Sequence, residues 1–101
     1  MECGEFLEEG NAVRLRLSGR MTFNDHAAMK RVTRALVAER KSHVVIDLSV
    51  LDYVDSAGVG MLLIIAEALR GTGGTMTLEN ARGQVARVFT VTKIYELIPN
   101  P

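Results

Sequence analysis

The chain switches repeatedly between a two-residue and a helical hydrophobic period, and the switches mark its elements. From Ala12 to Ser18, Val13, Leu15 and Leu17 alternate with Arg14, Arg16 and Ser18, which predicts a strand with one face in water. Residues 5–9 form a weaker strand candidate, and Gly10-Asn11 between the two is a two-residue turn signal, so the chain opens on a hairpin. Gly19 is expected to break the second strand. Thr22 followed by Asp25 three residues later reads as a capping box, with Asn24 as a rival cap, and opens a helix to about Arg40. Ala28, Met29, Val32, Ala35 and Leu36 share the apolar side of that helix. Lys30, Arg31 and Arg34 fall elsewhere, and in a neutral chain they read as a solvated face rather than a docking surface.

His43 to Ser49 is the most strand-like segment, with Val44, Ile46 and Leu48 alternating against Val45 and Asp47. A loop over Val50 to Val54 leads into the turn Asp55-Ser56-Ala57-Gly58-Val59-Gly60. A strongly apolar helix follows to about Arg70, with Gly71 as its left-handed cap. Gly73-Gly74 is a turn, Thr75 to Glu79 another one-sided strand, and Ala81 to about Thr90 a helix with Val85, Val88 and Phe89 as its stripe. Tyr95 to Ile98 reads as a last short strand. The order β-β-α-β-α-β-α-β predicts a single α/β domain over residues 1–101. Its helical crossovers imply parallel neighbours and its hairpin an antiparallel pair, giving a mixed four- to five-stranded sheet with helices mainly on one face.

On a helical wheel of 100° per residue, Ser56 shares its stripe with Val59, Gly60, Leu63, Glu67 and Arg70. The two charged residues place that stripe toward water, and Gly58, Met61, Leu62, Ile65 and Leu69 toward the core. Val59 and Leu63 are then apolar residues near solvent, in line with a serine at a strand-to-helix turn, which is a pattern for a protein-binding patch. Gly58 and Gly60 either let a partner approach the helix start or permit tight internal packing. Ser56 itself has three readings: a helix cap, a nucleophile, or an acceptor for phosphate at a site polarised for anions.

Composition narrows the field. Hydrophobic residues make up 48% and charged residues 24% of 101 residues, with 12 basic against 12 acidic. No net field draws the chain to nucleic acid or anionic lipid, so neither is expected as a partner. The longest apolar run, Met61 to Ala66, is far short of the ~20 residues a membrane span needs. A single cysteine, Cys3, and an acidic start without a secretion pattern lead to the expectation of a cytoplasmic protein.

Enzyme signatures fit poorly. The nucleophile elbow needs glycine two residues before its serine, where Val54 stands. Gly58-Val59-Gly60 lacks the third glycine of a dinucleotide fingerprint, with Leu63 in its place, and no phosphate-loop lysine follows. Asp47, Asp52 and Asp55 match no cation-binding spacing, and Asp47 reads as a strand-end residue that hydrogen-bonds a loop. His26 and His43 have no ligand partners at metal spacing. Neither a catalytic group, a metal nor a cofactor is expected.

Val44-Val45-Ile46-Asp47-Leu48-Ser49, then Val54-Asp55-Ser56-Ala57-Gly58-Val59-Gly60, then Gly73-Gly74 before a strand, resembles the STAS domain of anti-sigma factor antagonists. Gly19 and the helix from Asn24 also fit, so the likeness covers nearly the whole chain. The resemblance implies that Ser56 is phosphorylated by a serine kinase that doubles as an anti-sigma factor. The unmodified protein would bind that partner, the phosphorylated protein would let go, and a serine phosphatase would restore it. Asp55, Ser56, Ala57, Gly58, Val59, Gly60 and Leu63 would form the partner-binding surface. Thr22 and Phe23 stand where many members carry an acidic residue. Members usually continue into a further helix where this chain reads Pro99-Asn100-Pro101, which leaves apolar surface near Ile94 and Leu97 and predicts self-association, as a homodimer, or a partner there. The competing reading is a scaffold that docks on a transporter ATPase or sensory complex, with Ser56 only a cap.

Overall fold

The computed structural model describes residues 1–99, with the side chains of residues 5–9 outside that description. Four strands form one sheet in the order β1-β2-β3-β4: β1 (Glu2–Glu9), β2 (Ala12–Met21), β3 (His43–Val54) and β4 (Thr75–Glu79). The β1–β2 hairpin is antiparallel, and β2, β3 and β4 run parallel. The crossovers are α1 (His26–Ala38), entered through a 3-10 turn at Phe23–Asp25, and α2 (Ser56–Arg70). Both crossovers step the same way across the sheet, so with the right-handed sense that parallel connections take, α1 and α2 share one face. The third helix, α3 (Gly83–Thr92), follows β4.

The alternation seen in the sequence becomes the core. Val13, Leu15 and Leu17 of β2, Val44, Ile46 and Leu48 of β3, and Met76 and Leu78 of β4 are all buried in one cluster with Met29, Leu62, Ile65, Leu69, Val85 and Phe89 of the helices. Alternate residues present Arg14, Arg16, Asp47 and Glu79 on the other face, where Arg14 lies 2.7 Å from Glu79 and 3.7 Å from Asp47. The capping box forms as read, the Thr22 hydroxyl accepting from the Asn24 N–H and the Asp25 carboxylate from the Thr22 N–H.

Four expectations change along the strands and helices. Gly19 does not end β2; it takes φ +80° inside the strand at a bulge, and β2 continues to Met21. The expected loop over Val50 to Val54 is strand, because Ser18, Gly19, Arg20 and Met21 pair with Val50, Leu51, Tyr53 and Val54. Two register shifts each give β3 one extra residue, so its buried positions step from Leu48 to Leu51 and then Val54, and a two-residue period is lost there. Gly71 is right-handed at φ −63°, and the left-handed turn falls to Gly73 at φ +80°. Ala35, expected on the apolar side of α1, is exposed.

Tyr95 to Ile98 is no strand. Ile94–Glu96 form a 3-10 turn instead, after Lys93 turns the chain with φ +56°. Ile94 is 1% exposed rather than bare, Ile98 is buried, and Tyr95 packs edge-on to Phe89 at 5.8 Å. The Leu78 N–H donates to the Pro99 carbonyl at 3.0 Å, so this segment closes the β4 side of the core. Leu97 does stand out, at 61% exposed; Asn100 and Pro101 lie outside the described residues. No helix among the described residues is long and apolar enough to cross a membrane.

Asp47 sits within β3, not at its end, but it does hold loops: its Oδ1 accepts from the Ser49 N–H at 3.0 Å and from the Asn80 amide at 3.2 Å. Burial pushes its carboxyl up, yet the Ser49 N–H, the Asn80 amide, the Ser49 hydroxyl and the Arg16 guanidinium outweigh that and hold it below its ordinary 3.8. A lowered folded-state value means that the stabilisation is complete above the unfolded-state value of about 4 and is lost as pH falls through the folded one. Asp47→Asn is therefore expected to flatten the acid limb of stability against pH. At neutral pH it is expected to cost about 1–3 kcal/mol, read from urea denaturation midpoints.

Candidate functional site at the start of helix α2

The carboxyl ends of β2 and β3 meet the first turn of α2, and Asp55 ties the three together. Its N–H donates to the Met21 carbonyl at 3.2 Å, its Oδ2 accepts from the Phe23 N–H at 3.2 Å, and its Oδ1 accepts from the Gly58 N–H at 2.8 Å. The Val59 N–H closes the first helical turn onto the Asp55 carbonyl at 3.1 Å. Just upstream, the Gln84 side chain of α3 clamps Val54 from both sides, accepting from its N–H and donating to its carbonyl, each at 2.9 Å.

This arrangement assigns the cap to Asp55, not Ser56. An acidic residue at the cap also suits the positive end of the helix. Ser56 becomes the first helical residue, exposed, with a hydroxyl that makes no hydrogen bond to any described residue. A serine nucleophile needs a base within hydrogen-bond reach, and none of the described residues is bonded to this one. The capped turn sets the backbone of Ser56 and leaves its hydroxyl open to whatever approaches from solvent.

The two glycines of the turn have different jobs. A Cβ at position 58 would lie 2.5 Å from Val54 Cγ2 and 2.9 Å from the Met21 carbonyl oxygen, so Gly58 lets the helix press onto the strand ends. A Cβ at Gly60 would meet nothing within 4 Å, so that position is open to an approaching surface. Val59 differs from its expected exposure: it is 7% exposed and packs into the core, because the helix rolls its Val59 flank toward the sheet. Leu63, Ala57, Gly60 and Asp55 are half-buried around Ser56.

Two apolar residues of this surface went unmarked in the sequence. Ile64 is 60% exposed and Phe23 is 71% exposed, the latter stacked at 6.3 Å on His26, with its N–H on the Asp55 cap. The wheel does carry a signal for Ile64, which stands 80° from Ser56 and well away from Leu62 and Leu69. For Phe23 the signal is a large ring inside an otherwise polar capping box.

Gly58→Ala is expected to lower the denaturation midpoint, since backbone at Met21 cannot step aside. The overpacking cost is about 1–3 kcal/mol, against less than about 1 kcal/mol gained in helix propensity. Gly60→Ala is expected to leave the midpoint unchanged or raise it by up to about 1 kcal/mol. Thermal melts of the two variants side by side check both.

The sequence profile described as "Mlab, STAS domain" matches residues 6–99. The protein BtrV of Bordetella bronchiseptica, named as an anti-sigma factor antagonist, is 34% identical over 65 residues, which is 64% of this chain and 56% of BtrV, little more than half of that relative's length. An anti-sigma factor antagonist from Mycobacterium paratuberculosis superposes with a TM-score of 0.81 at 23% identity, covering 98% of this chain and 85% of that one. The antagonist SpoIIAA in its unphosphorylated form superposes at 0.75 with 18% identity over 98% of this chain and 86% of its own. The Bacillus cell fate determinant SpoIIAA in its phosphorylated form does so at 0.75 with 17% identity over 99% and 91%. At these identities the structural likeness is one of fold. With the profile running from the hairpin to the last turn, this chain belongs to the STAS domain family.

Proposed function

We propose that this protein is an anti-sigma factor antagonist that binds an anti-sigma serine kinase while Ser56 is unmodified and is released once the kinase phosphorylates Ser56. The observation that carries the reading is the division of labour at the turn: Asp55 performs the capping, so the exposed Ser56 hydroxyl has no structural duty. In the transfer, Ser56 Oγ bonds to the γ-phosphorus of ATP held by the kinase, its proton passes to a base of the kinase, and ADP leaves. A serine phosphatase reverses the mark by hydrolysing the ester to serine and inorganic phosphate.

The physics of the site supports a switch without refolding. A phosphate adds about −1.5 to −2 charge at the positive end of α2, where the fold tolerates it. The Ser56 and Ala57 N–H groups are not among the hydrogen-bonded amides of the turn, so the modified group has donors at hand. The same charge, next to the Asp55 carboxylate and about two turns from Leu63 and Ile64 on the same surface, must be desolvated before any partner can close over it, and this cost favours release. SpoIIAA, described in both phosphorylated and unphosphorylated forms, matches this fold equally well in each.

Incubation with ATP and candidate anti-sigma kinases, followed by mass spectrometry, is expected to place one phosphoryl group on Ser56 and none in Ser56→Ala. Ser56→Ala should bind the kinase whether or not ATP is present, and Ser56→Asp at least about tenfold more weakly, with unchanged circular dichroism. Equal binding by the two variants would sink the switch and favour the scaffold reading.

A further inference from the structure

We propose that the groove between α1 and α2 docks an acidic amphipathic helix of the partner. The groove encloses about 390 Å³. Its floor is Met29 and Met61, both buried, and Ile64 forms one wall at 60% exposure. The opposite rim carries His26, Lys30 and Arg34 of α1, spaced four residues apart on a single stripe. No carboxylate lines it.

The charge on this rim is unanswered. The stretch His26–Ala38 contains Lys30, Arg31 and Arg34 and no acidic residue. Among the described residues Lys30 and Arg34 have no ion-pair partner, whereas Arg14 pairs with Asp47 and Glu79, and Arg82 with Asp52. Glu67, one turn beyond Ile64, is taken by Arg70. In a chain of net charge zero, a cation-only rim around an apolar trough is a local departure that selects an anionic, partly apolar occupant.

Geometry selects a helix among such occupants. A trough between two packed helices receives a third helix by the ridges-into-grooves packing that helix pairs use. Steps of four residues along α1 rise about 6 Å, matching carboxylates at every fourth position of a partner helix, with apolar anchors on its adjoining face. A flat lipid surface fits less well: Met29 and Met61 are recessed in the floor, and only Ile64 of the apolar lining stands proud. The methionines suit this role, because a flexible thioether adapts to the side chain inserted against it.

The groove deepens the reading of the Ser56 surface by naming the chemistry of its partner, and it rests on that reading only for who the partner is. Met61 and Ile64 lie five and eight residues beyond Ser56 on the same helix, about 7–12 Å along its axis. A partner seated in the groove therefore reaches the serine turn, where an added phosphate would repel its carboxylates.

The test needs no kinase. The full chain is titrated into a labelled synthetic peptide of about 18 residues, with leucines at helical spacing flanked by glutamates, and into its counterpart with lysines in place of glutamates. The acidic peptide is expected to bind, and the lysine peptide at least about tenfold more weakly. Affinity for the acidic peptide should fall about tenfold or more in Lys30→Glu/Arg34→Glu and in Ile64→Asp, and should weaken with added salt. These side chains are exposed, and circular dichroism confirms that the variants stay folded. Binding indifferent to both variants, or equal for the two peptides, overturns the proposal. Sedimentation with phosphatidylglycerol vesicles that depends on Lys30 and Arg34, without peptide binding, overturns it in favour of lipid. A failed peptide leaves the Ser56 switch standing, and failed Ser56 variants leave the groove standing.

Discussion

The first turn of α2 is pressed onto the ends of β2 and β3 so closely that position 58 has no room for a side chain, and the rest of the site follows from that contact. Close approach brings the Met21 carbonyl within reach of the Asp55 N–H and the Phe23 N–H within reach of the Asp55 carboxylate. One residue thereby joins a strand end, a capping turn and a helix. Because Asp55 meets the helix end, the next residue is left with an open hydroxyl. A modifiable residue at such a position changes the surface without costing the fold its cap.

Charge in this chain is neutral in sum and sorted in space. The polar face of the sheet pairs Arg14 and Arg16 with Asp47, and Arg14 with Glu79, so that layer is balanced internally. Helix α1 holds cations without acids. A basic helix read alone is a solvated face; set beside the apolar flank of α2 it becomes one wall of a groove, which no property of either helix alone specifies.

Legibility was uneven for stated physical reasons. The hairpin turn, the capping box and the alternation of β4 were read directly, since each is a local pattern over two to five residues. The C-terminal end of β3 reads as a loop in the sequence because two extra residues in the strand break its period, and only the pairing with β2 makes it strand. Tyr95 to Ile98 reads as a strand in the sequence, whereas a 3-10 turn sets Tyr95 against Phe89 and buries Ile98, a contact between distant segments.

The sequence by itself determined the alternating core, the order of elements from β1 to α3, and a serine at a strand-to-helix turn, because those depend on periods and caps that neighbouring residues set. The tertiary structure decided which residue caps α2, which glycine is filled space and which is open, that Val59 faces inward while Ile64 faces out, and that α1 and α2 share a groove. Each of these depends on how far a helix rolls and how closely it sits on the sheet, which is fixed by packing between segments remote in the chain and is carried by no local pattern.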